Sequence, residues 1–174
     1  QLTSFKPQLI VLVDQAETPM HNLILKLKEQ YPKQDFSSYL GDVRNLERMK
    51  SMMEIYRPDI VFHAAAYKHV PLMEDNPTES IQDNVLGTKN IADLSLKYGV
   101  SRFVMVSTDK AVNPTNVMGA SKRIAEIYVQ SLNKKQEKED GAVTRFITTR
   151  FGNVLGSNGS VIPHFKQQIE KGGP

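Results

Sequence analysis

The segment VSTDKAVNPTNVMGASKR, residues 106–123, crowds reactive side chains into a short stretch. An apolar run ends at Thr108, a hydroxyl able to relay a proton. Asp109 and Lys110 then set a carboxyl beside an amine, and Lys122 follows at what reads as a helix start. A carboxyl and an amine side by side can work as general acid and general base. The amine must then be partly neutral near pH 7, which burial or a neighbouring cation brings about. Four residues before Lys122 stands Met118, whose thioether cannot carry a proton.

Other candidates fall at the ends of apolar runs. Asp14 closes LIVLVD; its two oxygens could accept both hydroxyls of a ribose, or it could simply begin a helix. Asp42, in GDVR, could meet an adenine amino group or N-cap the helix that starts at Leu46. Ala64, Ala65 and Ala66 would let a cofactor lie against the backbone, though alanine also packs cores. Lys68 and His69 follow on a loop beside them. Asn84 lies inside a helical pattern, where an amide is either an exposed neutral residue or a buried hydrogen-bonding post. The four histidines include no pair at zinc-helix spacing, and no Gly-x-Ser-x-Gly elbow occurs. Neither a metal site nor a serine hydrolase is expected.

The elements that must position these residues alternate. Strands are expected at 9–14, 35–43, 59–65, 102–107 and 145–151. Helices are expected at 22–30, 46–56, 77–98, 118–134 and 162–171, with 66–76 as a loop. Pro77 suits a first helical turn, Gly99 a helix stop, and Ile81, Val85, Ala92 and Leu96 an apolar face. Regular alternation implies an α/β fold with a doubly wound parallel sheet, whose ligands sit beyond the carboxyl ends of the strands.

Bulk properties set limits. The 174 residues suffice for one domain with a core; 40% are hydrophobic and 24% charged, ordinary for a globular chain. No apolar run reaches the roughly 20 residues that span a bilayer. With no cysteine, thiolate metal sites and a cysteine nucleophile are excluded, and a cytoplasmic setting is expected. The net charge of +3 is spread among acids, so no nucleic-acid partner is expected; it suits a phosphorylated small molecule.

PDIVFHAAAYKHVPLMEDNP, NVLGTKNIAD, RFVMVSTDKAVNPTNVMGASKR and RFGNVLGSNGSVIPHF together resemble the CapD-like polysaccharide-biosynthesis family of UDP-N-acetylglucosamine 4,6-dehydratases, extended short-chain dehydrogenases/reductases. The resemblance runs over nearly the whole chain. It implies a Rossmann-like fold, NAD rather than NADP as cofactor, a UDP-sugar substrate, and a homo-oligomer. Larger members carry membrane helices, so a membrane anchor on a longer parent is compatible with it. Position by position, it implies that Asp14 holds the adenine ribose and that Asp42 and Val43 frame the adenine. Ala64–Ala66 would line the cofactor, Asn84 would steady the active-site lysine, and Lys122 would bind the nicotinamide ribose. Thr108 would stand for the usual Ser/Thr, with Asp109 as acid and Lys110 as base. Lys68, His69, Asn153, Ser160 and Val161 would face the UDP-sugar. Short relatives carry tyrosine where Met118 stands; larger ones carry methionine, so Met118 marks the dehydratase branch. A UDP-sugar 4-epimerase or reductase, and a non-catalytic nucleotide-binding module, are the competing readings.

The phosphate-cradling G-x-G-x-x-G loop does not occur in the chain. The chain is therefore expected to be a fragment of a larger enzyme, a partial NAD(P)-binding domain truncated at both ends and lacking the first, central strand. The strands at Leu9 and Asp59 would then have lost a shared neighbour. The expectation is a compacted sheet, in which these two strands pair directly, or an oligomer that donates a strand. An exposed sheet is the other possibility.

Overall fold

In a computed structural model, residues 2–136, 144–154 and 161–173 are described. The order is a short 3-10 turn (Leu2–Phe5), β1 (Ile10–Asp14), α1 (Glu17–Gln30), β2 (Phe36–Leu40), α2 (Leu46–Tyr56), β3 (Ile60–His63), α3 (Val70–Asp75) and α4 (Pro77–Ser80). A π-helical segment (Ile81–Gly87), α5 (Thr88–Lys97), β4 (Arg102–Thr108), a 3-10 turn (Asp109–Ala111), α6 (Val117–Gln136), β5 (Arg145–Phe151) and α7 (Val161–Glu170) complete it. The α/β alternation and parallel pairing are as expected, and β5 has the bounds read from sequence.

Among the described residues all strand pairs are parallel, but they form two sheets. β1 pairs with β2, and β3, β4 and β5 pair in that order. The expected direct pairing of the first and third strands does not occur. β1 and β3 each keep an open edge, and on β3 the side chains of Ile60 and Phe62 are 41% and 52% exposed. What joins the halves is packing. Val11, Val13 and Val61 border one core made of Tyr39, Met49, Met52, Met53, Ile91, Leu94, Phe103, Met105, Val129 and Phe146.

That core follows from periodicity. β4 buries Phe103, Met105 and Ser107 in strict alternation. α2 buries Met49, Met52 and Met53 at helical spacing. Phe103 and Phe146 meet across β4 and β5 with ring centroids 5.4 Å apart.

Three expectations need correction. The segment expected as a loop after β3 contains α3: His69 stands at its N-cap and Pro71 lies in its first turn, where a missing N–H costs nothing. The long helix 77–98 is α-helical only at its ends, because Ile81–Gly87 is π-wound. The shift to i→i+5 pairing turns the inward face, so Ile81 is exposed while Asp83, Asn84 and Gly87 are buried. Finally, Asp42 does not cap α2. Asn45 does, its side chain accepting from the Arg48 N–H at 3.0 Å.

Candidate active site

At the carboxyl end of β4 the sheet hydrogen bonds stop and a 3-10 turn begins. Thr108 starts that turn, its Oγ accepting from the Lys110 N–H at 3.3 Å. The same hydroxyl donates to Asp109 Oδ1 at 2.9 Å, so Thr108 both shapes the turn and touches the carboxylate. Lys110 Nζ donates to Asp109 Oδ1 at 3.1 Å and to Asn153 Oδ1 at 3.4 Å. Asn153 lies just beyond β5, which brings two adjacent parallel strand ends to one spot. The hydrogen bonds from Thr108 and Lys110 hold the Asp109 carboxyl below the usual carboxylate range. Asp109 is therefore ionised at rest, a proton acceptor before it can be a donor.

α6 delivers Lys122 to the same end of the sheet. Its N-terminus is capped by Asn116 Oδ1, which accepts from the Gly119 N–H at 2.7 Å, and by Glu74, which accepts from the Val117 N–H at 2.6 Å. A stripe of buried positions runs through Met118, Lys122, Ala125, Val129 and Leu132. Lys122, 4% exposed, thus occupies a core position of an amphipathic helix. Burial pulls its pKa down to about 8, against the opposing pull of Asp83 and Glu126. Met118 is buried on the same stripe.

Gly119 sets how closely α6 approaches the turn. A Cβ there would stand 2.5 Å from the Lys110 carbonyl oxygen and 3.2 Å from Asn116 Oδ1. Gly119→Ala is expected to destabilise the fold by about 1–3 kcal/mol, because backbone must move. Urea denaturation checks this, and a change under about 0.5 kcal/mol would contradict so tight an approach.

Asn84 is a buried hydrogen-bonding post. Its Oδ1 accepts from the Tyr67 N–H at 2.9 Å, and its Nδ2 donates to the Tyr67 carbonyl at 3.2 Å and to Ser121 Oγ at 2.9 Å. Ser121 passes its own proton to the Met118 carbonyl at 2.8 Å, so in the 2.9 Å contact between the two serines Ser80 is the donor. Asn84 therefore grips the backbone neighbour of Lys122 rather than Lys122 itself. It also pins the loop that follows β3, where Ala64 and Ala65 are exposed and not packed into the core. Beneath them, His63 is buried and its pKa falls to about 3, through burial and then the Lys122 charge. Thr88 Oγ donates to the Asn84 carbonyl at 2.7 Å, so His63 Nε2 must be the donor in its 2.8 Å bond to Thr88.

The adenine-side candidates lie on the other sheet. Asp14, exposed at the end of β1, accepts from the Ala16 N–H at 2.8 Å through Oδ1. Asp42 is held by Arg44, whose N–H meets Oδ1 at 2.8 Å and whose Nε and second nitrogen meet Oδ2 at 2.8 and 2.6 Å. Arg44 also reaches Glu79 at 2.8 Å. These contacts keep the Asp42 carboxyl below its ordinary range, the Arg44 side-chain bond contributing most. An adenine amino group at Asp42 would share that carboxylate with Arg44. Val43 is half-buried and packs against the core. Lys68 and His69 are exposed on the β3–α3 loop. Ser160 lies outside the described residues, and Val161 opens α7.

Sequence reasoning missed three residues here. Asp83 is buried beside Asn84, and burial raises its carboxyl above the ordinary range against the pull of Arg44. Glu126, buried, pairs with the exposed Arg150 behind the site. The available signal for Glu126 was its place one turn after Lys122.

Comparison with known proteins gives the chain a family. A family model described as "Polysaccharide biosynthesis protein" matches residues 1–174. The capsular polysaccharide biosynthesis protein CapD of Staphylococcus aureus is 52% identical over the whole chain, which spans 28% of CapD. A UDP-N-acetylglucosamine 4,6-dehydratase (inverting) of Campylobacter jejuni is 38% identical over 98% of the chain, which spans 48% of that enzyme. Among solved structures, Pen from Bacillus thuringiensis superposes with a TM-score of 0.82 at 36% identity, covering 95% of this chain and 48% of Pen. Among the described residues no helix is long and apolar enough to cross a membrane. A match along the full chain, at these identities, makes it a member of the polysaccharide biosynthesis protein family.

Proposed function

We propose that the protein containing this chain removes water from a UDP-N-acetylhexosamine, as a nucleotide-sugar 4,6-dehydratase of bacterial glycan synthesis. The observation that carries the reading is the direct contact of Asp109 and Lys110, with Thr108 and Asn153 around them, at the ends of two adjacent strands. Oxidation or epimerisation at carbon 4 needs no second acid–base pair; elimination across carbons 5 and 6 does.

The residues present fit a nicotinamide dinucleotide. Asp14 is exposed at a strand end, where it would take the adenine ribose and favour NAD over NADP. Ala64 and Ala65 offer a bare backbone surface, and Lys122 supplies a buried ammonium for the nicotinamide ribose. The chain would be part of an NAD-binding domain, and a parallel strand between β1 and β3 would join the two sheets. A bound nicotinamide would supply the hydride acceptor for sugar carbon 4 and the hydride donor for carbon 6.

The chain's own residues handle the protons. Asp109, ionised at rest, takes the proton of the carbon 4 hydroxyl, directly or through Thr108 Oγ. The next step requires Lys110 as a neutral amine, its proton given up to solvent beforehand and recovered from solvent after turnover. Lys110 then removes the carbon 5 proton, acidified by the adjacent ketone, while Asp109 protonates the hydroxyl leaving carbon 6. A proton returns to carbon 5 with the hydride to carbon 6. The hydroxyl proton taken at carbon 4 departs in the water released. Met118 takes no proton; Asp109 does the work a tyrosine would do in that place.

The test is to incubate the full-length protein with UDP-N-acetylglucosamine and NAD and weigh the products. A product lighter by one water is expected. A product of unchanged mass with altered stereochemistry at carbon 4 would make the protein an epimerase. No turnover of any UDP-sugar would leave a binding module.

A further inference from the structure

One ion cluster, built on a buried carboxylate, plays no part in the proton steps above. Glu126 stands one helical turn past Lys122 on α6, with a side chain 0% exposed. A buried carboxylate is costly unless its partners are well placed. Here Arg150 meets it fork on fork, Nε to Oε1 at 2.9 Å and the terminal nitrogen to Oε2 at 2.7 Å, and Arg123 adds a bond to Oε2 at 3.0 Å. The buried Ser107 hydroxyl lies beside the carboxylate without a well-formed hydrogen bond of its own. Burial alone would raise the Glu126 pKa; the bonds from Arg150 and Arg123, with the Ser107 hydroxyl close by, outweigh it and hold the group at about 2.

What these partners have in common is position. Ser107 immediately precedes Thr108, Asp109 and Lys110 on β4. Arg150 lies on β5, three residues before Asn153. Glu126 shares α6 with Lys122. One carboxylate thus meets all three segments whose ends carry the site. An apolar plug would pack the same space as stably, but it would lack the fixed angles of a guanidinium–carboxylate fork.

We propose that Glu126 is a positioning residue. Gripped by Arg150 and Arg123, it fixes where Lys122 and Asn153 stand relative to the Thr108–Lys110 turn. The proposal rests on reading that turn as the reacting centre. Glu126 also contributes charge. The ionisable groups that act on Lys122 are Asp83 from the π-helical segment and Glu126 from its own helix, while its charge in turn acts on the neutral His63 of β3.

Two variants of the full-length protein test it. Glu126→Gln keeps the shape and removes the charge; Arg150→Gln removes the fork and leaves the carboxylate. In each, kcat should fall by about ten- to a hundredfold, with KM for the sugar within about threefold, as expected of a misplaced catalytic group. Val129→Ala, fully buried one turn further along α6 and away from the site, serves as a control for lost stability. Its kcat should stay within about twofold of the parent below its unfolding temperature. A second readout needs no substrate: the side-chain titration of Lys122, followed by NMR in the full-length protein. Its midpoint should fall in Glu126→Gln and rise in Arg150→Gln, opposite directions from breaking one clasp. A kcat that merely follows stability, as in Val129→Ala, or a Lys122 midpoint unmoved in both variants, overturns the proposal. If Glu126→Gln does not fold, Arg150→Gln and Arg123→Gln decide by the same readouts. If the full-length protein has no dehydratase activity, the functional reading falls, and the Lys122 titration alone still decides the role of Glu126.

Discussion

Lys110→Met in the full-length protein is expected to lower kcat for dehydration by about a thousandfold, within the range carried by a single general acid or base. The substitution keeps the length of the stem and removes the amine. The lost contact to Asp109 is a solvent-screened ion pair, with side chains 38% and 57% exposed, so stability should hardly change. The loss of rate is then chemical and not a folding defect. The isotope readout is sharper than the rate. In deuterated water the parent product should carry deuterium at carbon 5, because the ammonium of Lys110 exchanges with solvent before returning a proton. Lys110→Met should bind the sugar within about threefold of the parent and leave carbon 5 of the unreacted sugar unlabelled. Asp109→Asn should fail earlier, at the proton of the carbon 4 hydroxyl. An epimerase would use neither group, so full activity in Lys110→Met would sink the dehydratase reading at once.

How much of this was legible in the sequence depends on the range of the interaction concerned. β5 and the alternation of β4 follow from local pattern, and their bounds agree with the sequence to within a residue. The Thr108–Asp109–Lys110 cluster was legible for the same reason: its members adjoin in the chain, and only Asn153 arrives from elsewhere. The π-helical turn was not, because 3.6-residue periodicity presumes uniform winding and places Ile81 inside where Asp83 and Asn84 stand. Asp42 read as an adenine contact or a cap of the helix at Leu46; its partner Arg44, two residues away, was not legible because it engages the carboxylate only through the turn geometry before α2. Glu126 resembled any surface acid on a charged helix. Its burial is set by Arg150, 24 residues further on, which no local pattern reports. The two sheets instead of one likewise depend on which strands find partners, a property of the assembled chain.

Lys122→Met is expected to abolish NAD binding by the full-length protein and at the same time to stabilise the fold near neutral pH. The two effects have one cause. The ammonium occupies a core position on the buried stripe of α6, and its pKa of about 8 lies below the ordinary 10.5 because burial penalises the charge more than Asp83 and Glu126 support it. The sign of the pH dependence follows. Below pH 8 the folded and unfolded chains both hold the proton, and the full burial penalty applies. Between about 8 and 10.5 the unfolded chain holds more protons than the folded one, so raising the pH favours the fold. The penalty amounts to about 3 kcal/mol at most, at 1.36 kcal/mol per pKa unit. Methionine fills a similar volume without charge, so Lys122→Met should gain about 1–3 kcal/mol at pH 7. That gain should shrink through pH 8–10.5 as the parent catches up. Tyr98 and Tyr128, whose pKa values are raised, destabilise both proteins alike at higher pH and cancel in the difference. Urea denaturation of parent and variant across this range measures the curve. A variant less stable than the parent at pH 7 would mean that Lys122 is held by favourable contacts, and the account of it as a cation kept in the core for cofactor binding at the expense of stability would be wrong.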